Sequence, residues 1–457
     1  MELPPLEDLG LAVPGVLLPR PGVDLAKWAV IACDQYTQDR SYWEKADKER
    51  SGAPSALDLV LPEIYLEDRC SARIGAIHGN MKKYLEEGIF APPRRACVYL
   101  ERNTPYSKKR RGLLAALDLE QYDFRPEARS MIRATEGTVP ERLPVRMEIR
   151  RGAPLEIPHI IVLIDDEEDL LLPGLAERAK RSAPAYETSL MLGGGDISGW
   201  FLDGEKDTAF LARSLAYLAE RSLTRYGPAD SGGAPFLYAA GDGNHSLAAA
   251  KEIWEECKKN LPENSGAGAT EGRFPDHPAR RALVEIENLH DPAVRFEPIH
   301  RIVFNARLDE LLALLAELPG FSRRELAGAK ELSRLASDPG ARGNRLGLLG
   351  GGRFVLVENT APGLAAVSLQ PLLDRFVKER ANRDNPPLLD YIHGEEELFR
   401  LTGTNSTGIL LPPVKKNGFF ESVARTGPLP RKSFSMGESL EKRYYLECRQ
   451  LVPGTFF

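Results

Sequence analysis

Three observations predict a mixed α/β protein, and an α+β arrangement is the alternative. Apolar runs of strand length alternate with amphipathic segments of helical period. The chain has 457 residues, 42% of them hydrophobic and 28% charged, which is typical of a globular protein with a sizeable core. Neither a fixed-period repeat nor a low-complexity tract interrupts the alternation. We therefore expect a mixed sheet combined with helices.

Strands are predicted where short apolar runs end in polar or glycine-rich turns. In chain order these runs lie in WAVIACDQ, ACVYLERN, RGLLAALDLEQYDF, PVRMEIRRGAPLEIP, HIIVLIDD, PFLYAA and RALVEIENLHDP. The most strongly β-like of them is HIIVLIDD. Further along, NRLGLLGGGRFVLVEN predicts two strands joined by a glycine turn.

Helices are predicted where apolar residues recur every three or four positions. One early segment places four such residues on one face, namely Ile74, Ile77, Met81 and Leu85. The other helical segments are SYWEKADKERSG, GLAERAKRSAP, DTAFLARSLAYLAERSLTRYG, SLAAAKEIWEECKKN and LDELLALLAELPG. We expect a mixed α/β body over residues 1–307 and a smaller C-terminal α/β part over residues 308–457.

Charge and cysteine content narrow the class of protein. A net charge of -6 argues against binding of nucleic acid by the whole surface. The five cysteines are scattered and form no C-x-x-C pair, so neither a disulfide framework nor a zinc site is indicated. The N-terminal segment does not have the pattern of a signal peptide, and no apolar run has the length of a membrane span. We expect a cytoplasmic protein that acts on a small molecule, without a nucleic-acid or membrane partner, and with an oligomeric state that the sequence does not indicate.

The stretch GDGNH, residues 241–245, joins a predicted strand to a predicted helix. A helix N-terminus offers unpaired N–H groups and partial positive charge, so this joint is typical of an anion site. Gly241 and Gly243 allow a sharp turn and close approach of a ligand. Asp242 suits contact with a hydroxyl or a metal, and His245 suits a neutral donor or acceptor. The alternative interpretation is a capped helix start with a surface histidine.

Three further segments carry candidate side chains. In IRATEGT, Arg133 and Glu136 lie among hydroxyl residues, so Glu136 is a candidate general base or else a turn residue. Asp34 leaves a predicted buried strand, where ligands gather in α/β sheets; an Asx turn is the alternative. In RKSFSMGE, Arg431 and Lys432 are candidate anion contacts.

The run IDDEEDLL follows the most β-like segment. Asp165 or Asp166 could hold Mg²⁺ at that strand end, although such runs are more often a solvated loop and helix start. Histidine spacing indicates no metal site, and neither a Walker A nor a Rossmann glycine motif is present. We therefore assign no metal ligands from the sequence.

Several stretches together resemble the domain-of-unknown-function family 1015. They are VIACDQYTQDRSYW, RATEGTVPERLPVRMEIRRGAPLEIPHIIVLIDD, GGGDISGWFL, AAGDGNHSLAAAK, FEPIHRIVF, LDYIHGEEEL and LPRKSFSMGESLEKRYYLECR. They extend over nearly the whole chain. That family has no assigned activity.

The turn is also similar to that of the ParB/sulfiredoxin-like superfamily, which includes free-serine kinases. This resemblance implies a ParB/sulfiredoxin-like core, nucleotide phosphates bound at the turn, a required aspartate and an upstream glutamate base. Asp242, Gly243, Asn244 and His245 match the kinase turn, whereas Ser246 stands where those enzymes usually have arginine. The glutamate has no unambiguous counterpart.

These observations give a functional hypothesis with one alternative. The hypothesis is a nucleotide-dependent phosphotransferase that acts on a hydroxyl and uses ATP or ADP with Mg²⁺. Its catalytic candidates are Asp242, His245, Glu136 and Asp34. Its nucleotide-binding candidates are Gly241, Gly243, Asn244, Ser246, Arg133, Arg431 and Lys432. The alternative is a ParB-like protein that binds nucleotide in a regulatory role without turnover.

Overall fold

A computed structural model describes residues 3–66, 70–228, 234–260, 277–338, 340 and 343–451. The chain divides into two compact units. The first comprises Met1–Val294 together with Glu438–Phe457, and the second comprises Arg295–Gly437.

The strands, in chain order, are as follows. They are β1 (Leu11–Ala12), β2 (Gly15–Leu17), β3 (Val30–Ile31), β4 (Arg94–Arg95), β5 (Cys97–Asn103), β6 (Arg110–Asp118), β7 (Tyr122–Asp123), β8 (Ile132–Ala134), β9 (Leu155–Glu156), β10 (Ile161–Ile164), β11 (Tyr186–Leu190), β12 (Gly195–Leu202), β13 (Tyr238–Asp242), β14 (Arg281–Asn288), β15 (Phe296–Phe304), β16 (Ser322–Leu326), β17 (Asn344–Gly350), β18 (Arg353–Asn359), β19 (Leu388–His393), β20 (Ser406–Leu410), β21 (Phe434–Met436), β22 (Tyr444–Tyr445) and β23 (Cys448–Gln450).

The α-helices follow the same order. They are α1 (Leu25–Trp28), α2 (Arg40–Arg50), α3 (Cys70–Glu86), α4 (Leu143–Arg150), α5 (Leu171–Ala179), α6 (Glu205–Tyr226), α7 (Asn244–Asn260), α8 (Leu308–Leu315), α9 (Ala329–Ala336), α10 (Ala365–Glu379), α11 (Glu395–Leu401) and α12 (Phe419–Thr426). Short 3-10 helices lie at Leu6–Leu9, Ala56–Leu59, Glu63–Tyr65, Leu119–Gln121, Pro140–Arg142, Met191–Gly193, Pro278–Arg280 and Ser439–Glu441.

The first unit is built on one large mixed sheet. Its strand order is β11-β12-β5-β6-β14-β10-β13-β8-β7, and β1 adds to β6. The pairs β10/β14, β13/β8 and β7/β8 are parallel and the other pairs are antiparallel. Smaller sheets, β4-β2-β23-β9 and β22-β3, complete the unit. The predicted mixed sheet with helices is confirmed.

One face of helix α7 packs into the core of this unit. Leu247, Ala250 and Trp254 are fully buried there, and Cys257 packs partly buried against the same cluster. These four residues fall on one face at helical spacing, as the sequence predicts. The polar start of α7 is consequently left at the edge of the sheet.

The second unit holds its own sheet, of order β16-β18-β17-β20-β15-β19, with β21 paired to β15. β17 and β18 form the hairpin that the glycine turn predicts. Apolar residues of α8 and α10 form the core with this sheet, among them Leu311, Leu312 and Leu369.

The division into units differs from the predicted one. Residue 307 falls within the second unit, which begins at Arg295, and the last segment returns to the first unit. That return has a physical reason: β23 pairs with both β2 and β9, and β22 pairs with β3. Buried ion pairs reinforce it, since the Arg443 guanidinium contacts the carboxylates of Glu285 and Glu447. Sequence periodicity does not report pairings between such distant segments.

Candidate functional site at the end of strand β13

The GDGNH stretch forms the turn between β13 and α7. β13 ends at Asp242 and α7 begins at Asn244, so the predicted helix start is confirmed. Gly243 lies between them with φ of 74°. A Cβ at this position would lie 3.1 Å from the backbone Cα of Ile160, on the segment that enters β10. Both the left-handed backbone and the close approach therefore favour glycine.

The neighbouring strand β8 runs parallel to β13, so both strands end at the same edge of the sheet. Two hydrogen bonds of Thr135 join these strand ends. Its N–H donates to Asn244 Oδ1 at 3.2 Å, and its hydroxyl donates to the Ala240 carbonyl at 2.5 Å. The following loop is held by His245, whose Nε2 accepts from the Val139 N–H at 3.2 Å. Because Nε2 accepts, the proton of the neutral ring lies on Nδ1.

Asp242 is part of an ion pair across this edge. Its Oδ2 lies 3.4 Å from Lys442 Nζ, and the two side chains are 18% and 8% exposed. Within the described part of the chain, the charged partner of the Asp242 carboxylate is Lys442. The carboxylate therefore faces a cation.

A hydrogen-bonded chain lies beside the turn. Ser246 Oγ is 3.0 Å from His159 Nε2, and His159 Nδ1 is 2.8 Å from the Tyr445 hydroxyl oxygen. That oxygen also accepts from the Cys33 N–H at 3.1 Å. Segments entering β10, leaving β3 and forming β22 thus meet at the first turn of α7.

Two acidic side chains, Asp34 and Glu63, complete this edge. The Glu63 N–H donates to the Cys33 carbonyl at 2.8 Å, which brings Glu63 next to Asp34. The Glu63 carboxylate accepts from the Arg146 guanidinium, which α4 supplies. The site therefore combines three carboxylates, two histidines and two cations on segments remote in sequence.

The two carboxyl groups titrate in opposite directions. Burial opposes ionisation of Asp34, but the neighbouring His159, a hydrogen bond from the adjacent Gln35 amide and the Lys442 charge hold its pKa below the ordinary value. Burial raises the pKa of Glu63, and the Asp34 charge adds to this, while Arg146 opposes it. A carboxylate that stays ionised thus lies beside a carboxyl group with a raised pKa, a combination found at sites of acid–base chemistry.

A cavity of about 130 Å³ opens beside these groups. Its polar lining includes Glu63, Arg146, His159, Ser246 and Tyr445. The remaining wall is largely apolar, with side chains from α3, α4 and the segment between β9 and β10. A small molecule in this cavity would contact the first turn of α7 and the Glu63–Arg146 pair together.

Buried arginines hold the C-terminal segment that carries Lys442 and Tyr445. Arg102 donates to the Lys442 carbonyl at 2.5 Å, and Arg110 donates to the Glu441 carbonyl at 2.5 Å. Arg443 donates to the Pro158 carbonyl at 3.1 Å, directly before His159. These contacts fix Lys442 and His159 relative to one another, which preorganises the site.

The structure brings together part of the predicted set. Four of the predicted residues lie at this edge, namely Asp34, Asp242, His245 and Ser246. Gly241 is the second-last residue of β13. Glu136 is half-buried in the loop after β8, one residue beyond Thr135. Arg133 lies on β8 with its guanidinium 4.3 Å from the Phe236 ring and its Nε 3.0 Å from the Ser130 carbonyl.

Arg431 and Lys432 belong to the second unit, where both are exposed and Lys432 has φ of 58°. Four residues of the edge were not among the sequence candidates: Glu63, Arg146, His159 and Lys442. One signal was available for three of them, because Arg146, His159 and Lys442 lie in stretches that carry the family resemblance, whereas Glu63 does not.

A separate polar group lies beyond the opposite end of β10. Asp165, Glu167 and His290 place three possible ligand atoms within 4.8 Å of one another, close enough to hold one metal ion. His290 Nε2 is 2.6 Å from Asp165 Oδ1, and Arg225 pairs with both carboxylates. Asp166 instead accepts from the N–H groups of Leu170 and Leu171 and so orders the start of α5.

Comparison with known proteins gives a family and several distant structural likenesses. The family described as "Protein of unknown function (DUF1015)" matches residues 17–376. None of the curated proteins matches the sequence. In the described part of the chain, the helices are all too short or too polar to cross a membrane.

Three solved structures illustrate the structural likenesses. A free serine kinase variant in complex with AMP is 11% identical, with a TM-score of 0.38 over 76% of this chain and 95% of that one. SbnI from Staphylococcus aureus, with a C-terminal truncation, is 10% identical, with a TM-score of 0.33 over 75% and 83%. A conserved hypothetical protein from Pyrococcus furiosus is 12% identical, with a TM-score of 0.33 over 73% and 90%.

Proposed function

We propose that this chain, which belongs to the DUF1015 family of proteins of unknown function, is a phosphotransferase that moves a phosphoryl group from a nucleotide to a small hydroxyl compound. One observation carries the proposal. The N-terminus of α7, the Asp242–Lys442 pair and the Asp34, Glu63 and Arg146 side chains converge on one edge of the sheet. Phosphoryl transfer requires mainly positioning and charge neutralisation, and this edge offers both.

The phosphates of ATP or ADP would lie against the first turn of α7. Backbone N–H groups after Gly243 supply donors there, and the helix dipole favours negative charge. Gly241, which has no side chain, would leave room for the nucleotide, and Asn244 holds the turn in place through Thr135. Lys442 would exchange part of its contact with Asp242 for a phosphate oxygen. Arg133 is proposed as a further cation from the sequence alone, whereas Arg431 and Lys432 belong to the second unit and are given no part in this site.

Mg²⁺ would enter with the nucleotide. The hard carboxylate oxygens of Asp34 and Asp242 fit such an ion, since Mg²⁺ is commonly bound by one or two carboxylates together with substrate phosphates. The ion would supply neutralisation of phosphate charge. In this assignment Asp242 is the required acid of the turn, and its carboxylate must face the ligand.

Acid–base roles follow from the opposite pKa shifts. Glu63, whose pKa burial raises, is the best placed residue to accept a proton from an acceptor hydroxyl in the cavity. Asp34 remains ionised and serves as an electrostatic partner. Glu136 is the other candidate base, and His245 positions the loop that carries it through Val139.

Product formation tests the proposal. The purified full chain is incubated with ATP or ADP, MgCl₂ and a panel of hydroxy amino acids and other small alcohols, and ³¹P NMR detects a new phosphate monoester. We expect a product that depends on Mg²⁺. Saturable nucleotide binding with no product from any donor would instead identify a regulatory nucleotide-binding protein.

Lysine variants provide a matched binding test. Lys442→Gln removes the cation at the turn, whereas Lys251→Gln removes a partly buried lysine that pairs with Glu255 on α7. We expect Lys442→Gln to weaken nucleotide affinity by about tenfold or more, equivalent to one charge-assisted contact, and Lys251→Gln to leave it within about twofold. Equal affinities for the two variants would remove Lys442 from the phosphate site.

A further inference from the structure

Ser246 and His159 have the geometry of a nucleophile and its base. The hydroxyl oxygen of Ser246 lies 3.0 Å from His159 Nε2, within the distance required for proton transfer. The other ring nitrogen is 2.8 Å from the Tyr445 hydroxyl, which orients the imidazole. This pair lies at the turn where the sequence replaces the arginine of the similar kinases by serine.

The surroundings support a reactive hydroxyl. Ser246 lies in the first turn of α7, where a negative charge that develops on a bound group is stabilised by backbone N–H donors. Ser246 and His159 both line the 130 Å³ cavity, so a ligand can reach them. The charge of Asp34 acts on His159 and would stabilise the imidazolium formed when the ring accepts a proton.

We propose that Ser246 is a catalytic nucleophile that His159 activates, and that phosphoryl transfer proceeds through a phosphoserine at position 246. Tyr445 is a positioning residue that fixes the ring through Nδ1. This inference rests on the proposed function, because the nucleotide is taken as the phosphoryl donor.

The phosphoryl group is transferred in two displacements. In the first, Ser246 Oγ forms a bond to the terminal phosphorus, the bond from that phosphorus to the bridging oxygen breaks, and the serine proton moves to His159 Nε2. The shortened nucleotide leaves with that oxygen. In the second, the acceptor oxygen bonds to phosphorus, the Ser246 Oγ–P bond breaks, His159 returns its proton to Ser246, and the acceptor proton passes to the Glu63 carboxylate.

The first experiment traps the intermediate. The full chain is incubated with γ-³²P-labelled ATP (or β-labelled ADP) and Mg²⁺ without an acceptor, then analysed by intact mass and peptide mapping. We expect one phosphoryl group on Ser246, which is discharged when the acceptor is added. His159→Gln should slow labelling by about 10²–10⁴-fold, the contribution of a general base.

Matched variants separate chemistry from folding. Ser222→Ala removes a buried serine whose hydroxyl donates only to the Phe236 carbonyl at 2.6 Å, and His290→Gln removes a histidine at the other end of β10. Both should retain labelling. Tyr445→Phe should reduce labelling and shift its pH profile, because the ring loses its orienting partner, while a purely structural role would leave the profile unchanged.

A donor-independent probe distinguishes failure of this inference from failure of the proposed function. Diisopropyl fluorophosphate reacts with activated serines without any nucleotide, so it should modify Ser246 in the wild type and not in the folded His159→Gln variant. Product without phosphoserine, together with an active Ser246→Ala variant, would overturn the nucleophile and leave the phosphotransferase intact. Modification at Ser246 without any nucleotide-derived product would support the nucleophile and overturn the nucleotide donor, whereas no modification and no phosphoserine would overturn the nucleophile.

Discussion

The two ends of strand β10 carry similar residues in different settings. At the entry to Ile161–Ile164, His159 lies among Asp34, Asp242 and Lys442. At the exit, His290 lies against Asp165, with Glu167 and Arg225 nearby. Each end thus joins a histidine, carboxylates and a cation.

At the exit end, the carboxylates are bonded to other side chains of the protein. Arg225 pairs with Asp165 at 3.2 Å and with Glu167 at 2.5 Å, and the Tyr226 hydroxyl donates to Asp165 at 2.5 Å. These bonds tie the end of α6 to the loop after β10. These contacts stabilise the fold, and they use the same carboxylates that a metal ion would need.

The entry end differs because it opens onto a cavity. Its histidine, His159, contacts Ser246 in the first turn of α7, and both side chains line a cavity together with Glu63. Two of its carboxyl groups have pKa values shifted in opposite directions. Opposite shifts also occur at the exit end, where the pKa of Asp165 is lowered and that of Asp166 is raised by burial. The comparison shows that neither residue type nor shifted pKa values identify a site by themselves, whereas access to a cavity separates the two ends.

The largest expected effect is that of Asp242→Asn. Asparagine keeps the size of the side chain and one of its oxygen acceptors, so stability should fall only by the loss of the charged contact with Lys442, about 1–3 kcal/mol. Loss of the carboxylate that faces Lys442 and the ligand should reduce turnover by several orders of magnitude. Thermal unfolding and product formation are measured together.

Asp203→Asn is the matched control for that variant. Asp203 follows β12 and pairs with the exposed Arg94, and four strands separate β12 from β13 in the sheet. This control should retain full turnover. Full turnover in Asp242→Asn as well would make Asp242 a turn residue and move the search for the acid to Glu136 or Asp34.

The next effect concerns the pH dependence of turnover. Burial raises the pKa of Glu63, so the ionised form that accepts a proton appears only above the ordinary glutamate range. Turnover should therefore rise with pH through this raised value. Glu63→Gln should lower turnover by about 10²–10⁴-fold and abolish this limb of the profile.

Glu256→Gln serves as its control, because that exposed carboxylate pairs with Arg151 on the surface. Its pH profile should match that of the wild type. An unchanged acidic limb in Glu63→Gln would assign the base to another group.

The sequence predicts those features of the site that depend on neighbouring residues along the chain. It does not predict the contacts between segments that are far apart in sequence. Glycines between an apolar run and an amphipathic segment predict the β13–α7 turn, since both signals are local. Asp34 and Asp242 are likewise predicted one by one from strand ends. Their meeting with Lys442 depends on the return of the C-terminal segment through β22 and β23, which local patterns do not encode.

The segment that supplies Arg146 shows the same limit. In PVRMEIRR, apolar and polar residues alternate with the period of a strand, yet residues Leu143–Arg150 form α4. Leu143 packs with Ala248 and Ala249 of α7, and this packing overrides the local alternation. The strand predicted in that segment is realised only as β9, of two residues.

A smaller effect is expected for His245→Ala. The imidazole accepts from the Val139 N–H and so holds the loop after β8 against α7. Loss of this bond should cost about 0.5–1.5 kcal/mol of stability. Nucleotide affinity should fall by about tenfold, yet some binding should persist through the backbone N–H groups. Calorimetric titration and thermal unfolding measure the two effects, and a larger loss of stability than of affinity would make His245 a purely structural residue.

The smallest effect on turnover is expected at the exit end of β10, where His290→Gln should change it by less than about twofold. The variant removes the contact of His290 with Asp165 but leaves Arg225 and Tyr226 bound to that carboxylate, so stability should fall by only about 0.5–1.5 kcal/mol. His159→Gln, at the entry end, should instead lose turnover with a similar change in melting temperature. A paired measurement of activity and unfolding for the two variants tests the contrast directly. If His290→Gln lost turnover as His159→Gln does, the group at Asp165 would belong to the active site, and titration with Mg²⁺ or Mn²⁺ would then be expected to show binding that Asp165→Asn removes.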